Sequence, residues 1–476
     1  MLKLISSLVI FLAIANHHAF ARKPNVIGYV GTWAHYRSDK GKFTVDDIDP
    51  NLFTHLIYSF VGINKDGTIK SLDSWLDIDL QNFRKFNNLK QKNPELKTLV
   101  AIGGWNQGSE NFSAVASSAA SRKEFAKKAK EFCNNHNFDG IDMDWEYPGQ
   151  RGGKTEDKKN FVLMLEELNN ELKQDDLLLT AAVAAGEASA AISYNITEMS
   201  KHVDYINLME YDFHGSWEKT AEHHAALHSK SPHDKLNVES SVKYWLNAGA
   251  PAAKLNLGLG LYGRTFKLSN TNQKSLGASA TGPGTKGKYT MEDGFLGYNE
   301  ICEKLKNKEM TEMWDATAKV PYATGGNDWV GYDNADSITA KGQFIKDNKL
   351  AGGMFWSIET DDFRGTCGKK YPLVTALKNC LGGNSAGETT KPTTRKPDVT
   401  IAPSTAGTAK PTAVTVKTTG SPGSIDCVSD GLYRHNSDCS KFYQCSSGRK
   451  FELTCPPGLH FNAKISVCDF KEKIVC

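Results

Sequence analysis

Three carboxylates alternate along one short stretch of the chain, which reads FDGIDMDWEYP from Phe138 to Pro148. Asp142, Asp144 and Glu146 are spaced two residues apart, so on a β-strand all three side chains leave the same face. Carboxylates this close raise the pKa of at least one member, so the group holds a proton near neutral pH. A protonated carboxyl beside an ionised one is what acid-catalysed cleavage of a glycosidic bond requires.

The residues between the carboxylates, Ile141, Met143 and Trp145, are large and apolar. They would lie on the opposite face of the strand, under helices, as in a (β/α)8 barrel whose acidic face points to the barrel mouth. The alternative is an acidic edge strand in solvent, which explains the charges but not the bulky residues that alternate with them. We therefore predict a barrel strand that carries a site.

Eight short apolar segments alternate with longer amphipathic segments, which predicts an α/β fold, a (β/α)8 (TIM) barrel. The strand candidates are Val26–Gly31, Thr54–Phe60, Thr98–Gly103, Gly140–Trp145, Leu178–Ala184, Tyr205–Glu210, Leu255–Leu261 and Gly352–Ser357. Helical patterns between them include Ser121–Asn134, Asp157–Gln174 and Val238–Ala248. The longest gap, at about residues 264–336, has Gly-, Thr- and Ser-rich turns. We expect an inserted α+β lobe there, forming one wall of a cleft.

Polar and aromatic residues follow the C-terminal ends of the predicted strands, where (β/α)8 barrels carry their active sites. A glycine pair lets the backbone approach a ligand closely, and a tyrosine hydroxyl can donate to a developing oxyanion. The residues that share this position are Gly103, Gly104, Trp105, Asn106, Met209, Tyr211, Asp212, Tyr262, Arg264 and Trp356. Each is a weak signal alone, but together they predict a cleft across the barrel mouth.

Four histidines, His223, His224, His228 and His233, lie close together in the sequence. His224 and His228 have the i, i+4 spacing of a helical metal site, but no motif of the HExxH kind accompanies them. We therefore interpret this segment as a solvated loop and expect neither a metal ion nor an organic cofactor.

The N-terminus has the features of a secretory signal peptide, predicted over residues 1–21. A lysine at position 3 precedes an apolar run over residues 4–15, and residues 19–21 form an A-x-A cleavage sequence. An uncleaved anchor is the alternative, although the apolar run is too short to span a bilayer. We expect the mature chain to begin at residue 22, with the catalytic barrel over residues 22–382. We expect it to be secreted and extracellular, with disulfides.

The formal net charge of +3 is small for 476 residues. It argues for neither a nucleic-acid partner nor a membrane surface, and we expect neither. Secretion would expose the sequons at Asn111 and Asn195 to glycosylation. We expect a monomer.

The composition changes after the predicted barrel. Residues 383–424 are rich in Thr, Pro, Ser and Lys and lack aromatics, which predicts an extended linker, O-glycosylated or plainly disordered.

Residues 425–476 hold six of the ten cysteines: Cys427, Cys439, Cys445, Cys455, Cys468 and Cys476. So small a unit needs disulfides to fold, and the absence of a paired CxxC argues against zinc. Spacing alone does not choose among fifteen pairings.

Together these motifs resemble glycoside hydrolase family 18, specifically the secreted chitinases of animals, over about residues 25–381. The family's DxxDxDxE signature stands here as Asp139, Asp142, Asp144 and Glu146. The spacing of the last six cysteines resembles the peritrophin-A type chitin-binding module, carbohydrate-binding module family 14. A barrel, a Thr/Pro-rich linker and such a module in series are similar to an arthropod-type chitinase.

The resemblance implies retaining hydrolysis of the β-1,4-N-acetylglucosamine linkages of chitin, with chitin and chito-oligosaccharides as partners and no cofactor. In that scheme Glu146 is the general acid and base, and the substrate's own 2-acetamido group attacks the anomeric carbon to give an oxazolinium ion. Asp144 would hold the acetamido N–H and share a proton with Asp142, while Tyr211 would donate to the acetamido oxygen. The implied cleft is lined by Tyr29, Trp105, Tyr147, Met209, Asp212, Tyr262 and Arg264, over a floor at Trp356.

The resemblance also implies a set of disulfides. These are Cys302–Cys367 in the inserted lobe and Cys427–Cys445, Cys439–Cys476 and Cys455–Cys468 in the module. Cys133 and Cys380 match no position of the family, and we expect no bond between them, because their helices would not be neighbours in a barrel.

Three alternatives share parts of this pattern. A catalytically silent lectin of the same fold usually lacks the acid, which Glu146 supplies here. A matrix protein that acts through its C-terminal module would leave a complete acidic row unexplained. An enzyme that cuts N-glycan cores would have no use for a chitin-binding module.

Overall fold

The computed structural model describes residues 23–229, 231, 233–382, 431–446, 449–455, 459–463 and 467–471. The predicted signal peptide and linker lie outside these residues. The chain divides into two compact units, residues 1–389 and residues 390–476, which are described separately below. No helix in the described part of the chain is both long enough and apolar enough to cross a bilayer.

The first unit is built on a closed barrel of eight parallel strands, as the alternating segments predicted. Each strand pairs with the next, and the first strand closes the ring by pairing with both the second and the last. In chain order the strands are β1 Asn25–Gly31, β2 His55–Ile63, β3 Lys97–Gly103, β4 Gly140–Asp144, β5 Leu178–Ala184, β6 Tyr205–Met209, β7 Leu255–Gly260 and β8 Gly352–Trp356. A short ninth strand, Ile69–Ser71, pairs antiparallel with the end of β2.

Helices surround the barrel, and the main hydrophobic core lies between them and the strands. Their ranges are Asn82–Asn87, Glu110–Ala116, Ala119–His136, Asp157–Leu172, Glu187–Ser193, Ile196–His202, Val238–Asn247, Ala335–Asp347 and Pro372–Leu381. Ile141, Met143 and Trp145 belong to this outer core and are at most 1% exposed. The two-residue alternation along β4 therefore divides apolar side chains, which face the helices, from carboxylates, which face the barrel interior.

The long gap between β7 and β8 folds as the predicted α+β lobe. Its strands form a six-stranded antiparallel sheet, and its helix is Tyr298–Lys306. The strands are Tyr262–Leu268, Ala280–Pro283, Phe295–Gly297, Thr311–Asp315, Val320–Gly325 and Asp328–Gly331. A disulfide joins Cys302 to Cys367, the pair that the resemblance implies, while Cys133 and Cys380 are free thiols.

The second unit is a small β-structure. Strands Gly431–Arg434, Lys441–Ser446 and Arg449–Thr454 form an antiparallel sheet, and Leu459–Asn462 pairs with Val467–Phe470 in a hairpin. The rings of Phe442 and Phe461 stack with their centroids 4.6 Å apart. Cys439 and Cys455 each take part in a disulfide. The pairings implied for this module involve cysteine side chains outside the described residues.

Candidate active site

Asp142 lies at the centre of a hydrogen-bond network inside the barrel. Its Oδ2 accepts from the Tyr29 hydroxyl at 2.7 Å, and its Oδ1 accepts from the Thr180 hydroxyl at 2.5 Å and from Asn207 Nδ2 at 3.2 Å. Burial raises the pKa of Asp142 to about 6, and the three donors oppose that rise. In the described part of the chain no hydrogen bond joins Asp142 to Asp144, and the proton sharing that the resemblance implies stays a prediction.

The network continues behind Asn207 through two more buried asparagines. Asn207 Oδ1 accepts from Asn256 Nδ2, and Asn256 Oδ1 accepts from Asn25 Nδ2, both at 3.0 Å. This ladder crosses from β6 through β7 to β1 and fixes the orientation of the Asn207 amide. These residues were not predicted from the sequence, although the spacing of Asn207 from Met209 and of Asn25 from Ile27, two residues in each case, marks them as interior positions of their strands.

Asp144 and Glu146 lack the donors that surround Asp142. Asp144 is buried, and its Oδ1 has no hydrogen-bond partner among the described residues. Burial and the charges of Glu146 and Asp142 hold the pKa of Asp144 well above its usual range. Burial also raises the pKa of Glu146 to about 7, although Tyr147 and Arg151 act to lower it. Burial therefore disfavours the charged form of Asp144, while Glu146, with a pKa of about 7, can both give and take a proton near neutral pH.

The glycine pair brings β3 against the end of β4. Gly103 and Gly104 have φ angles of +122° and +81°. A Cβ on Gly103 would lie 2.1 Å from the Asp144 carbonyl oxygen, and the Gly104 N–H donates to that same oxygen at 2.9 Å. Only glycine fits there. The turn places Asn106 and the 57% exposed side chain of Trp105 in the cleft.

Arg151, which the sequence analysis did not single out, supports this side of the cleft. Its guanidinium carbon lies 3.5 Å from the centroid of the Trp105 ring. The same guanidinium donates to the carbonyl oxygens of Trp105 at 2.8 Å and of Glu146 at 3.0 Å. One face of the indole is thus covered by a cation, which leaves the other face for a ligand.

Asp212 organises the opposite wall. Arg264 donates to both of its carboxylate oxygens at 2.7 Å, and the Tyr262 hydroxyl donates to Oδ1 at 2.6 Å. Burial would raise the pKa of Asp212, but contacts with His224 and Arg264 outweigh burial and hold that pKa well below its usual range. Asp212 is therefore an anion, and its charge helps to raise the pKa of Glu146.

Tyr211 presents its hydroxyl to the cleft. Its one hydrogen-bond contact within the described residues is a weak one, 3.9 Å from its oxygen to Met354 Sδ. Burial and the nearby charges of Asp144 and Glu146 hold its pKa well above 10. The hydroxyl therefore keeps its proton and is able to donate it in a hydrogen bond.

Aromatic rings form the floor of the cleft, whose volume is about 1260 Å³. The Trp356 ring lies 5.7 Å from Tyr29 and from Phe60, and 5.9 Å from Trp33. Predicted residues in the lining also include Gly103, Tyr147 and Met209; residues that were missed include Trp33, Tyr36, Phe60, Trp217 and Phe295. Trp33 follows β1 by two residues and Phe60 ends the predicted second strand, so the rule that selected Trp105 would have found them. Flat apolar rings of this kind suit the C–H faces of sugars.

The interpretation of the histidine segment as a solvated loop is wrong for its first half. His223 and His224 are 4% and 1% exposed, and His224 packs behind Asp212. His228 is half-buried and contacts Glu239 at 2.8 Å. The i, i+4 spacing could not show that this loop folds under the turn at Asp212, because that contact is tertiary.

Three other sequence candidates lie outside the cleft lining. Asp139 pairs with Lys90 at 3.0 Å, so it ties the barrel to a neighbouring loop. Asn111 is half-buried, and its Nδ2 donates to the Ile63 carbonyl at 2.8 Å. Asn195 is exposed at the N-terminus of the helix Ile196–His202.

Comparison with known proteins agrees with this geometry. The model for glycosyl hydrolases family 18 matches residues 25–361, and that for the chitin binding Peritrophin-A domain matches residues 427–476. Chitotriosidase-1 of Mus musculus is 36% identical over 462 residues, which cover 93% of this chain and 94% of that protein. Probable chitinase 2 of Drosophila melanogaster is 42% identical over 356 residues, covering 72% and 73%.

Among solved structures, the Group IV chitinase of Ostrinia furnacalis in complex with allosamidin matches with a TM-score of 0.74 at 44% identity. The match covers 75% of this chain and 99% of that one. The chain therefore belongs to glycosyl hydrolase family 18, as a chitinase-type enzyme with a C-terminal peritrophin-A chitin-binding domain.

Proposed function

We propose that this enzyme hydrolyses the β-1,4-N-acetylglucosamine linkages of chitin with retention of configuration, using the substrate's own 2-acetamido group as the nucleophile. The observation that carries the proposal is the hydrogen bonding and burial of the acidic row. Asp142 is engaged by the hydroxyls of Tyr29 and Thr180. Burial disfavours the charged, nucleophilic form of Asp144, and Asp212 is engaged by Arg264 and Tyr262. Because Glu146 is needed as the acid and the other nearby carboxylates are either engaged or disfavoured as anions, the nucleophile comes from the sugar.

The reaction then has two steps. Glu146 gives its proton to the glycosidic oxygen as the bond from that oxygen to C1 breaks, and the acetamido carbonyl oxygen bonds to C1 to form an oxazolinium ion. Asp144 accepts the acetamido N–H through its unpartnered Oδ1, and Tyr211 donates to the acetamido oxygen. Ionised Glu146 next takes a proton from water as the water oxygen attacks C1, which restores the acetamido group and the acid.

The test is the dependence of cleavage on the acetamido group. Chitohexaose is compared with its fully deacetylated counterpart, and affinity is measured separately by tryptophan fluorescence so that weak binding is not mistaken for absent chemistry. We expect kcat for the deacetylated hexamer to be lower by at least about a thousandfold, because the intramolecular nucleophile is gone. Similar kcat values for both substrates would show that the enzyme has a nucleophile of its own.

We also propose that the chain is secreted and that its module anchors it on insoluble chitin. Support comes from the A-x-A sequence over residues 19–21 and from the Cys302–Cys367 disulfide, because such bonds persist in oxidising compartments. N-terminal sequencing of protein exported by insect cells should begin at Arg22. A chain retained in the cells with residues 1–21 intact would contradict secretion.

A further inference from the structure

His224 lies directly behind the Asp212 wall and contacts both segments that build it. Its Nδ1 is 3.4 Å from the Asp212 backbone nitrogen, and its Nε2 is 3.1 Å from the Tyr262 carbonyl oxygen. Its own carbonyl accepts from the Phe213 N–H at 3.0 Å. One buried residue thus joins the turn after β6 to the first strand of the inserted lobe, which carries Arg264.

The ring contacts define which nitrogen of the imidazole carries a hydrogen. The Tyr262 carbonyl can only accept, so Nε2 carries a hydrogen. Nδ1 lies 3.4 Å from the Asp212 backbone N–H, which can only donate, and 3.7 Å from the Asp212 carboxylate Oδ1, which is beyond hydrogen-bond distance. An imidazole with its hydrogen on Nε2 and a lone pair on Nδ1 therefore satisfies the two hydrogen bonds. Asp212 needs this support, because its φ of +57° is a left-handed conformation that is costly for a residue other than glycine.

We propose that His224 is a positioning residue for the hydrolysis reaction, which acts by holding the backbone of Asp212 in its left-handed turn. Asp212 in turn aligns Tyr262 and Arg264 and places a negative charge that raises the pKa of Glu146. If Asp212 moves, both sugar binding and the titration of the general acid change. This inference rests on the proposed function, because it gives His224 a place in that reaction.

Three variants separate the two ring contacts. His224→Asn keeps an acceptor where Nδ1 lies, so it keeps the bond to Asp212 but not the bond to Tyr262. His224→Gln places its amide near Nε2, so it keeps the bond to Tyr262 alone, and His224→Phe keeps neither. His228→Gln is the matched control, since His228 is half-buried, contacts Glu239 and does not line the cleft. The kcat and KM on chitohexaose are measured from about pH 4 to about pH 9, with the melting temperature of each variant.

We expect His224→Asn to retain kcat/KM within about threefold of the wild type. The alkaline limb of its plot of kcat/KM against pH should lie where the wild-type limb lies. His224→Gln and His224→Phe should each lose about tenfold in kcat/KM. Their alkaline limbs should move to lower pH, because Glu146 loses part of the negative charge that raises its pKa. His228→Gln should match the wild type. A purely structural role would lower melting temperatures without ranking Asn above Gln in this way.

Equal kcat/KM values and equal alkaline limbs for the Asn and Gln variants would overturn the inference, even if the Phe variant does not fold. A wild-type enzyme that fails to cleave chitohexaose would instead refute the proposed function. In that event the same variants are compared by their affinity for chitopentaose. Tighter binding by the Asn variant than by the Gln variant supports the role of His224, and equal binding contradicts it.

Discussion

Replacing Glu146 with glutamine should remove turnover and, at the same time, stabilise the fold at alkaline pH. Burial raises the pKa of this carboxyl from 4.5 to about 7, an increase of about 2.5. At about 1.36 kcal/mol for each factor of ten in proton affinity, the ionised form costs at most about 3.4 kcal/mol. Because the side chain borders the open cleft, solvent screening reduces this cost, and we expect about 2 kcal/mol.

The sign follows from the direction of the pKa change. Between pH 4.5 and about pH 7 the folded protein binds more protons at Glu146 than the unfolded chain does, so stability falls as the pH rises through that range. The amide of Glu146→Gln carries no charge and avoids this loss. The free energy of unfolding of the variant should therefore equal that of the wild type at about pH 4 and exceed it by about 2 kcal/mol at about pH 8.

Urea unfolding at the two pH values, followed by tryptophan fluorescence, measures this difference. Glu131→Gln is the control, since Glu131 is exposed on the helix Ala119–His136, and it should show no difference between the two pH values. Turnover of chitohexaose by Glu146→Gln should fall by a factor of about 10² to 10⁴ while binding is retained. A variant that is less stable than the wild type at pH 8, or whose free energy of unfolding differs from that of the wild type by the same amount at both pH values, would refute the claim that burial raises the pKa of Glu146.

Three other outcomes test separate parts of the molecule. Gly103→Ala should lower the free energy of unfolding in urea by about 2–4 kcal/mol, because its Cβ would collide with the Asp144 carbonyl. Gly368→Ala is the control, since Gly368 has open space around it, and it should leave the stability unchanged. Equal effects of the two substitutions would contradict the close approach at Gly103. Mass spectrometry of secreted protein should find a glycan on exposed Asn195 and none on Asn111, whose Nδ2 is engaged; the reverse occupancy would be contrary evidence. Deleting the chitin-binding module should spare hydrolysis of soluble oligomers but lower activity on insoluble chitin about tenfold or more, and equal loss on both would exclude anchoring.

The barrel was predictable from the sequence because its signals are local. The alternation of Asp142 and Asp144 with Ile141 and Met143 marks a strand with two different faces, and glycine at 103 marks a close approach. The residues that carry the chemistry were predictable for the same reason, since they occupy the C-terminal ends of strands.

The environment of those residues was not predictable. The donors to Asp142 come from β1, β5 and β6, and only the closed ring brings Tyr29, Thr180 and Asn207 to one carboxylate. His224 was misjudged because burial depends on how a loop folds beneath a turn, not on the spacing of histidines. Tertiary contacts of this kind decide which carboxyl is charged, and so they decide the roles within the acidic row.

The stereochemistry of the first product tests the central claim most directly. Chitohexaose is added to the wild-type enzyme, and the anomeric protons are followed by NMR before mutarotation equilibrates them, with fragment lengths read by mass spectrometry. Attack by the acetamido group followed by water predicts shorter oligomers whose new reducing ends begin as the β-anomer. An initial α-anomer would contradict substrate assistance, and no cleavage at all with binding to chitin intact would contradict turnover itself.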